Sequence, residues 1–317
     1  MKHAVAPTPL AVRAAPHGCV ACASTAASAA RVLSASHRVV RCDGCGLWYL
    51  HPRPQPAALS AAYAGIHARQ AWGRAAGWRA TWRDRVWDAH GACRDVSALW
   101  KLVPRRALSV LLSPKDGTRV LDVGFGRGVL LDDLKARGFE PWGLEVSHAA
   151  VARARAHGHR AEVGDIENPG TLAALPPASF DAIVLNHVLE HLAQPRVALS
   201  TCRMLLKANG RLVVAIPNAS AFTFALFGKD WYGSNLPHHL AFYTPDSARC
   251  LVEQAEFVVE QVQAKNLLWY GPDLIRFYLQ RAPSWSLRVR FLWQLLWHCV
   301  PGRITGCETI TLYCRVR

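Results

Sequence analysis

Two groupings of residues stand at spacings that chemistry uses. Cys19-Val-Ala-Cys22 and Cys42-Asp-Gly-Cys45 are C-x-x-C pairs with 19 residues between them. That spacing suits a tetrahedral four-thiolate site in which each pair forms a tight knuckle, with Gly44 and Gly46 permitting the turn. Four protein thiolates close the coordination sphere, so the expected role is a structural zinc (Zn2+). Without a metal, so small a segment could hardly offset its ordering entropy. The second grouping is Val120-Leu-Asp-Val-Gly-Phe-Gly-Arg-Gly128, an apolar run that opens onto glycines at every second position. Gly124, Gly126 and Gly128 let backbone approach a nucleotide closely at a helix N-terminus. Glu145, 21 positions after Gly124, is placed to accept from ribose hydroxyls, and Asp165 from an adenine amino group. His187, His191, His238 and His239 are the histidines in reach of a chemical role here, and an imidazole is the natural general base near neutral pH.

These groups require elements that bring them to one edge. Val120–Val123 reads as a buried strand and Val129–Arg137 as a helix stopped by Gly138. Strands follow at Glu140–Glu145, Arg160–Val163, Phe180–Asn186 and Gly210–Ile216, separated by helices over Ser147–His157 and about Pro195–Lys207. This alternation predicts an α/β fold, a doubly wound and mostly parallel sheet covered on both faces. A helix at Pro245–Ala255 and a strand at Phe257–Gln263 continue it, and Ile304–Val316 reads as an antiparallel edge strand. Ahead of this domain (119–317) the reading places a disordered segment at 1–16, a zinc ribbon at 17–56 and a helical linker or lid at 57–118. Within the ribbon, Ala23–Ala30 is expected as a loop and His37–Arg41 as a short strand. The linker carries Trp72, Trp78, Trp82, Trp87 and Trp100 among arginines. Insertions are expected at about 217–243 and 267–302, the latter with an amphipathic surface helix around Phe291–Trp297.

The net charge of +15 is uneven. Lys and Arg against Asp and Glu number 16 to 5 over 1–118, 14 to 15 over 119–270 and 7 to 2 over 271–317. A near-neutral centre with basic flanks favours polyanionic partners: an anionic substrate, a nucleic acid or an anionic membrane surface. A solvated Arg-rich surface explains the same numbers. Ten cysteines, six of them scattered, do not form a secreted disulfide framework, and Met1–His17 lacks an apolar signal region. The expected location is cytoplasmic, with peripheral contact at the inner membrane face through 267–302.

A nicotinamide dinucleotide is the competing ligand, but its G-x-G-x-x-G pattern from Gly124 requires glycine where Val129 stands. Val120–Gly128 instead resembles the first motif of class I S-adenosylmethionine-dependent methyltransferases, and Phe180–Leu192 resembles that family's fourth-strand motif. The resemblance implies S-adenosyl-L-methionine as cofactor, held by Asp122, Gly124, Phe125, Gly126 and Gly128. It implies Glu145 at the ribose, Asp165 and Ile166 near adenine, and Asn186, His187 and Glu190 near the methionine end. Cys42–Pro54 looks like the N-terminal zinc ribbon of a subgroup that includes deoxysugar C-methyltransferases. Trp231–Thr244 resembles a segment of bacterial small-molecule and polysaccharide-pathway methyltransferases, with His238 where that segment carries Arg. The implied acceptor is a small molecule or glycan, such as a sugar nucleotide or lipid-linked saccharide, with His239 as base and His187 as the second catalytic candidate. Rival readings are an RNA acceptor bound through the ribbon and basic helices, and a non-catalytic cofactor-binding protein. Oligomeric state does not follow from these residues.

Overall fold

The computed structural model describes residues 18–33, 37–54, 117–171, 175–267, 272–298 and 304–317. The segment 1–16 and all but the last two residues of the 57–118 linker, with its tryptophans, lie outside the described residues.

Eleven strands are described: β1 Ala27–Val32, β2 Arg38–Cys42, β3 Trp48–His51, β4 Arg119–Val123, β5 Glu140–Glu145 and β6 Arg160–Val163, then β7 Phe180–Asn186, β8 Leu206–Pro217, β9 Ala241–Phe242, β10 Phe257–Asn266 and β11 Cys307–Val316. The helices are α1 Val129–Ala136, α2 His148–Ala156, α3 Pro195–Leu205, α4 Phe222–Phe227, α5 Pro245–Gln254, α6 Pro272–Arg281 and α7 Trp285–His298. The main sheet has seven strands in the order β10-β11-β8-β7-β4-β5-β6. β6, β5, β4, β7 and β8 run parallel, and β11 pairs antiparallel with both β8 and β10. The order reverses at β4, and a sheet wound this way opens a crevice outside the carboxyl ends of β4 and its neighbours.

The elements follow local chemistry. Ser147 caps α2 by accepting from the Ala150 N–H, Pro195 occupies the first turn of α3, and Thr244 with Ser247 forms a reciprocal capping box on α5. α3 buries Ala198, Leu199, Cys202 and Leu205, a helical stripe that packs into the core with Leu121, Ile183, Leu212 and Leu312.

Two sequence expectations need correction. The last strand is not an edge: β11 lies between β8 and β10, and Cys307–Cys314 are all buried. An interior strand of a covered sheet needs no alternation, because both its faces meet protein. Nor is Ala23–Ala30 a loop throughout, because Ala27–Val32 forms β1 and pairs antiparallel with β2. Alanines and serines carry no strand pattern, so only the ladder with β2 makes them one.

The second sheet, β1-β2-β3-β9, joins distant parts of the chain. Its fourth strand comes from the 217–243 insertion: Trp48 pairs with Phe242, Tyr49 with Ala241, and the Leu50 N–H donates to the Leu240 carbonyl at 2.9 Å. The cysteine ribbon is thus stitched by main-chain bonds to the segment that carries His238 and His239.

Candidate active site

β4 ends in the glycine turn. Gly124, Gly126 and Gly128 take φ of 67°, 50° and 70°, the left-handed region open to glycine. A Cβ on Gly124 would stand 2.8 Å from Val188 Cγ2, so the turn lies directly against the His187–Glu190 segment. Phe125 turns away: its ring is buried with Leu131, Val151 and Ala154, under Gly143. Only its backbone contributes to the cradle. Glu145, buried at the end of β5, closes the turn from the other side. Its Oε2 accepts from the Gly126 N–H at 3.1 Å and its Oε1 from the N–H groups of Val146 at 2.9 Å and Ser147 at 3.3 Å. Asp122 is buried within β4; burial first, and the Glu145 charge second, push its carboxyl well above the ordinary range. After β6, Asp165 Oδ1 accepts from the Glu167 N–H at 2.9 Å and Ile166 is buried in the core.

β7 delivers the third part. Asn186 ends the strand half-buried, and His187 takes φ of 56° while its N–H donates to the Ala215 carbonyl at 2.8 Å. A histidine in that region is uncommon and the neighbouring strand holds it there. His187 Nδ1 lies 3.1 Å from Glu190 Oε1, and Glu190 Oε2 is buried with no hydrogen-bond partner among the described residues. Burial raises the Glu190 carboxyl, but the His187 hydrogen bond and the surrounding imidazoles outweigh it and hold it at about 2. The carboxylate is ionised.

The 217–243 insertion brings the remaining groups. His239 is buried, and its Nδ1 lies 2.6 Å from the Gly233 carbonyl. A carbonyl only accepts, so Nδ1 carries the proton and Nε2 presents a lone pair. His191 Nδ1 lies 3.0 Å from the His238 carbonyl and is protonated by the same reasoning. Its ring meets that of His239 edge-on at 4.5 Å. The Leu240 N–H donates to the Glu190 carbonyl at 2.8 Å, tying the insertion to the β7 turn. Burial lowers both imidazoles, and His239 falls to about 3. The sequence suggests that His191 packs locally at a helix start; it instead bridges to a residue 47 positions away. One ligand atom each of Glu190, His191 and His239 lie within 4.8 Å of one another, a spacing that also suits a divalent cation.

The sequence reading overlooks Glu308. Fully buried at the start of β11, it accepts from Thr223 Oγ1 at 2.5 Å, Trp231 Nε1 at 2.9 Å and Tyr278 Oη at 3.1 Å. Burial outweighs these bonds and raises its carboxyl to about 7. Its backbone carbonyl accepts from Tyr232 Oη at 2.7 Å and the Asn218 N–H at 2.8 Å, so one residue holds both ends of the Asn218–Tyr232 stretch. Its signal was present: Glu308 is the only acid between Asp273 and the last residue.

In the ribbon, the four Sγ atoms of Cys19, Cys22, Cys42 and Cys45 lie within 4.8 Å of one another. Cys19 and Cys45 approach to 3.6 Å and Cys22 and Cys42 to 3.4 Å. Burial raises the thiols of Cys19, to about 11, and of Cys45 further.

A seven-stranded sheet with one antiparallel strand next to its end, a glycine turn at the point of reversal and a carboxylate closing that turn define a nucleotide-binding α/β enzyme. Residues 94–262, more than half of the chain, match the methyltransferase domain family. The chain belongs to that family and is an S-adenosylmethionine-dependent methyltransferase. Among curated relatives it is 31% identical to the ubiquinone biosynthesis O-methyltransferase of Xanthomonas oryzae pv. oryzae over 188 residues, 56% of this chain and 78% of the relative. It is likewise 31% identical to the enzyme of that name from Alkalilimnicola ehrlichii over 206 residues, 62% of this chain and 81% of the relative. A solved S-adenosylmethionine-dependent methyltransferase from Archaeoglobus fulgidus covers 70% of this chain and 95% of its own, with 19% identity and a TM-score of 0.47.

Proposed function

We propose that this enzyme methylates a hydroxyl or acidic carbon of a small-molecule or glycan-type acceptor, with His239 Nε2 receiving the acceptor's proton. The observation that carries this reading is the buried His239 imidazole, fixed by Gly233 so that Nε2 keeps its lone pair, clustered with the ionised Glu190 on a segment tied to the turn that abuts Gly124. Two relatives named for O-methylation in ubiquinone biosynthesis support a hydroxyl acceptor.

The residues present fit the cofactor. Three left-handed glycines and the Glu145 clamp make a tight turn in which a Cβ at Gly124 would collide with Val188. In this reading Asp122, Gly124, Phe125, Gly126 and Gly128 line it through backbone and strand end. Glu145 takes the ribose, Asp165 and Ile166 the adenine side, and Asn186, His187 and Glu190 the methionine end. When bound, S-adenosylmethionine supplies an activated sulfonium methyl, so the protein's task is to position, exclude water and accept a proton. The buried Glu190 carboxylate favours the positive charge that His239 acquires on protonation, against the larger effect of burial that holds the imidazole at about 3. His187 holds Glu190 in place, and we assign it positioning at the methionine end.

We also propose a structural zinc at Cys19, Cys22, Cys42 and Cys45. Zinc–sulfur bonds of about 2.3 Å place the sulfurs of a regular tetrahedron about 3.8 Å apart, close to the separations of the two cross-knuckle pairs. A cation would offset the burial that disfavours the thiolates of Cys19 and Cys45.

The test uses labelled S-adenosylmethionine with a panel of hydroxyl-bearing acceptors. Once one is turned over, His239→Gln should lower kcat by about 10²–10⁴ while S-adenosylhomocysteine affinity stays unchanged. Equal turnover of the variant and the parent across pH would remove His239 as base.

A further inference from the structure

Helix α7 (Trp285–His298) is apolar on two opposite sides, and the core uses only one. Inward, Phe291 is fully buried, with ring centroids 6.1 Å from Phe222, 5.4 Å from Phe227 and 5.5 Å from Tyr278. His298 lies flat on Phe222 at 5.0 Å. Outward, Trp285, Val289, Leu292, Trp293, Leu296 and Trp297 are exposed; Trp285, Trp293 and Leu296 reach 76%, 71% and 75%. At 3.6 residues per turn these six occupy an arc of about 140°, centred almost opposite Phe291. Arg288 and Arg290, both exposed, fall on its two margins.

Charge selects the occupant. From residue 274 to 307 the chain carries five arginines and no lysine, aspartate or glutamate. Tryptophan and leucine flanked by arginine is the composition of an interfacial helix, with rings at headgroup depth and guanidinium groups at lipid phosphates. A second copy would fit poorly, because a two-fold contact would bring these arginine margins together on a chain of net charge +15. No helix among the described residues is long and apolar enough to cross a membrane, so α7 would lie on the surface.

We infer that α7 docks flat on an anionic lipid bilayer through its outward Trp/Leu stripe. The end of the helix meets the short turn Ile304–Gly306, with His298 Nδ1 2.9 Å from Thr305 Oγ1, and that turn opens into β11, where Thr309 pairs with Pro217 at the carboxyl end of β8. It therefore sits at the sheet edge that carries the glycine turn and His239. Docking turns that edge toward the membrane, the side from which a lipid-borne acceptor would arrive.

The test reads binding without turnover, so its failure is separate from failure of the methyl-transfer reading. The full chain is co-sedimented with phosphatidylcholine vesicles containing or lacking phosphatidylglycerol, at low and high salt. Binding should require phosphatidylglycerol, weaken with salt and fall about tenfold or more in Trp293→Glu/Leu296→Glu. Melting temperature and S-adenosylhomocysteine affinity should hold, because both side chains face outward. Arg288→Glu/Arg290→Glu should lose the preference for anionic vesicles. No binding of the parent to anionic vesicles at low salt overturns the inference. So does undiminished binding of the stripe variant, or a concentration-dependent dimer that the stripe variant dissolves in place of vesicle binding.

Discussion

The left-handed backbone of three alternate glycines is the smallest feature on which this enzyme depends. At Gly126, with φ of 50°, the N–H meets Glu145 Oε2, and a β-branched residue there is strained. In calorimetric titration the parent should bind S-adenosylhomocysteine and not NAD, and Gly126→Val should weaken that binding about tenfold or more. Saturable binding of NAD alone would refute the cofactor assignment. These glycines and the acid at Glu145 were legible in the sequence because a strand–turn–helix cradle needs those types at that spacing. The Glu190–His191–His239 cluster was only half legible. The residue types were visible, but the contact of rings separated by 48 positions depends on how the insertion folds back.

Among the elements, the start of β11 is where an ionisable group is enclosed by apolar packing. Glu308 bonds to Trp231 and Tyr278, members of a buried cluster with Phe222 and Phe227, and burial raises its carboxyl from 4.5 to about 7. The folded state therefore holds a proton that the unfolded chain releases. Its contribution to stability is full below 4.5 and is lost as pH rises through 7. Ionisation should cost roughly 3 kcal/mol by pH 9. Thermal melting between pH 6 and pH 9 should show this loss, and Glu308→Gln should flatten it while keeping acceptors for Trp231 or Thr223. An unchanged profile in the variant would place the alkaline loss elsewhere. His239, lowered to about 3, and Glu190, lowered to about 2, act at the other end. Their contributions are full above 6.5 and 4.5 respectively and are lost as pH falls through the folded values.

For the molecule as a whole, the ribbon and the active-site insertion are one sheet. β3 pairs with β9, Leu240 bonds to both Leu50 and Glu190, and the Tyr243 hydroxyl is buried where the Glu190 and Cys19 charges act on it. The proposed zinc should therefore matter to the acceptor side and little to the cofactor side. Metal analysis should find one zinc per chain. Chelation, or Cys45→Ser, should raise amide exchange over Leu240–Thr244 and lower turnover, while S-adenosylhomocysteine affinity changes by less than about threefold. Protein with all four cysteines and no stoichiometric zinc would overturn the assignment.

The sequence alone determined what is written locally: the strand–helix alternation from Arg119 to Pro217, one unit after another, the glycine cradle and the paired cysteines. Tertiary structure alone decided that β11 is interior, that Ala27–Val32 is a strand, that β9 completes the ribbon and that Glu308 is a buried acid. The reason is range. Periodicity reports which face of an element is apolar, whereas pairing partners, burial and the pKa of a carboxylate depend on residues brought from elsewhere in the chain.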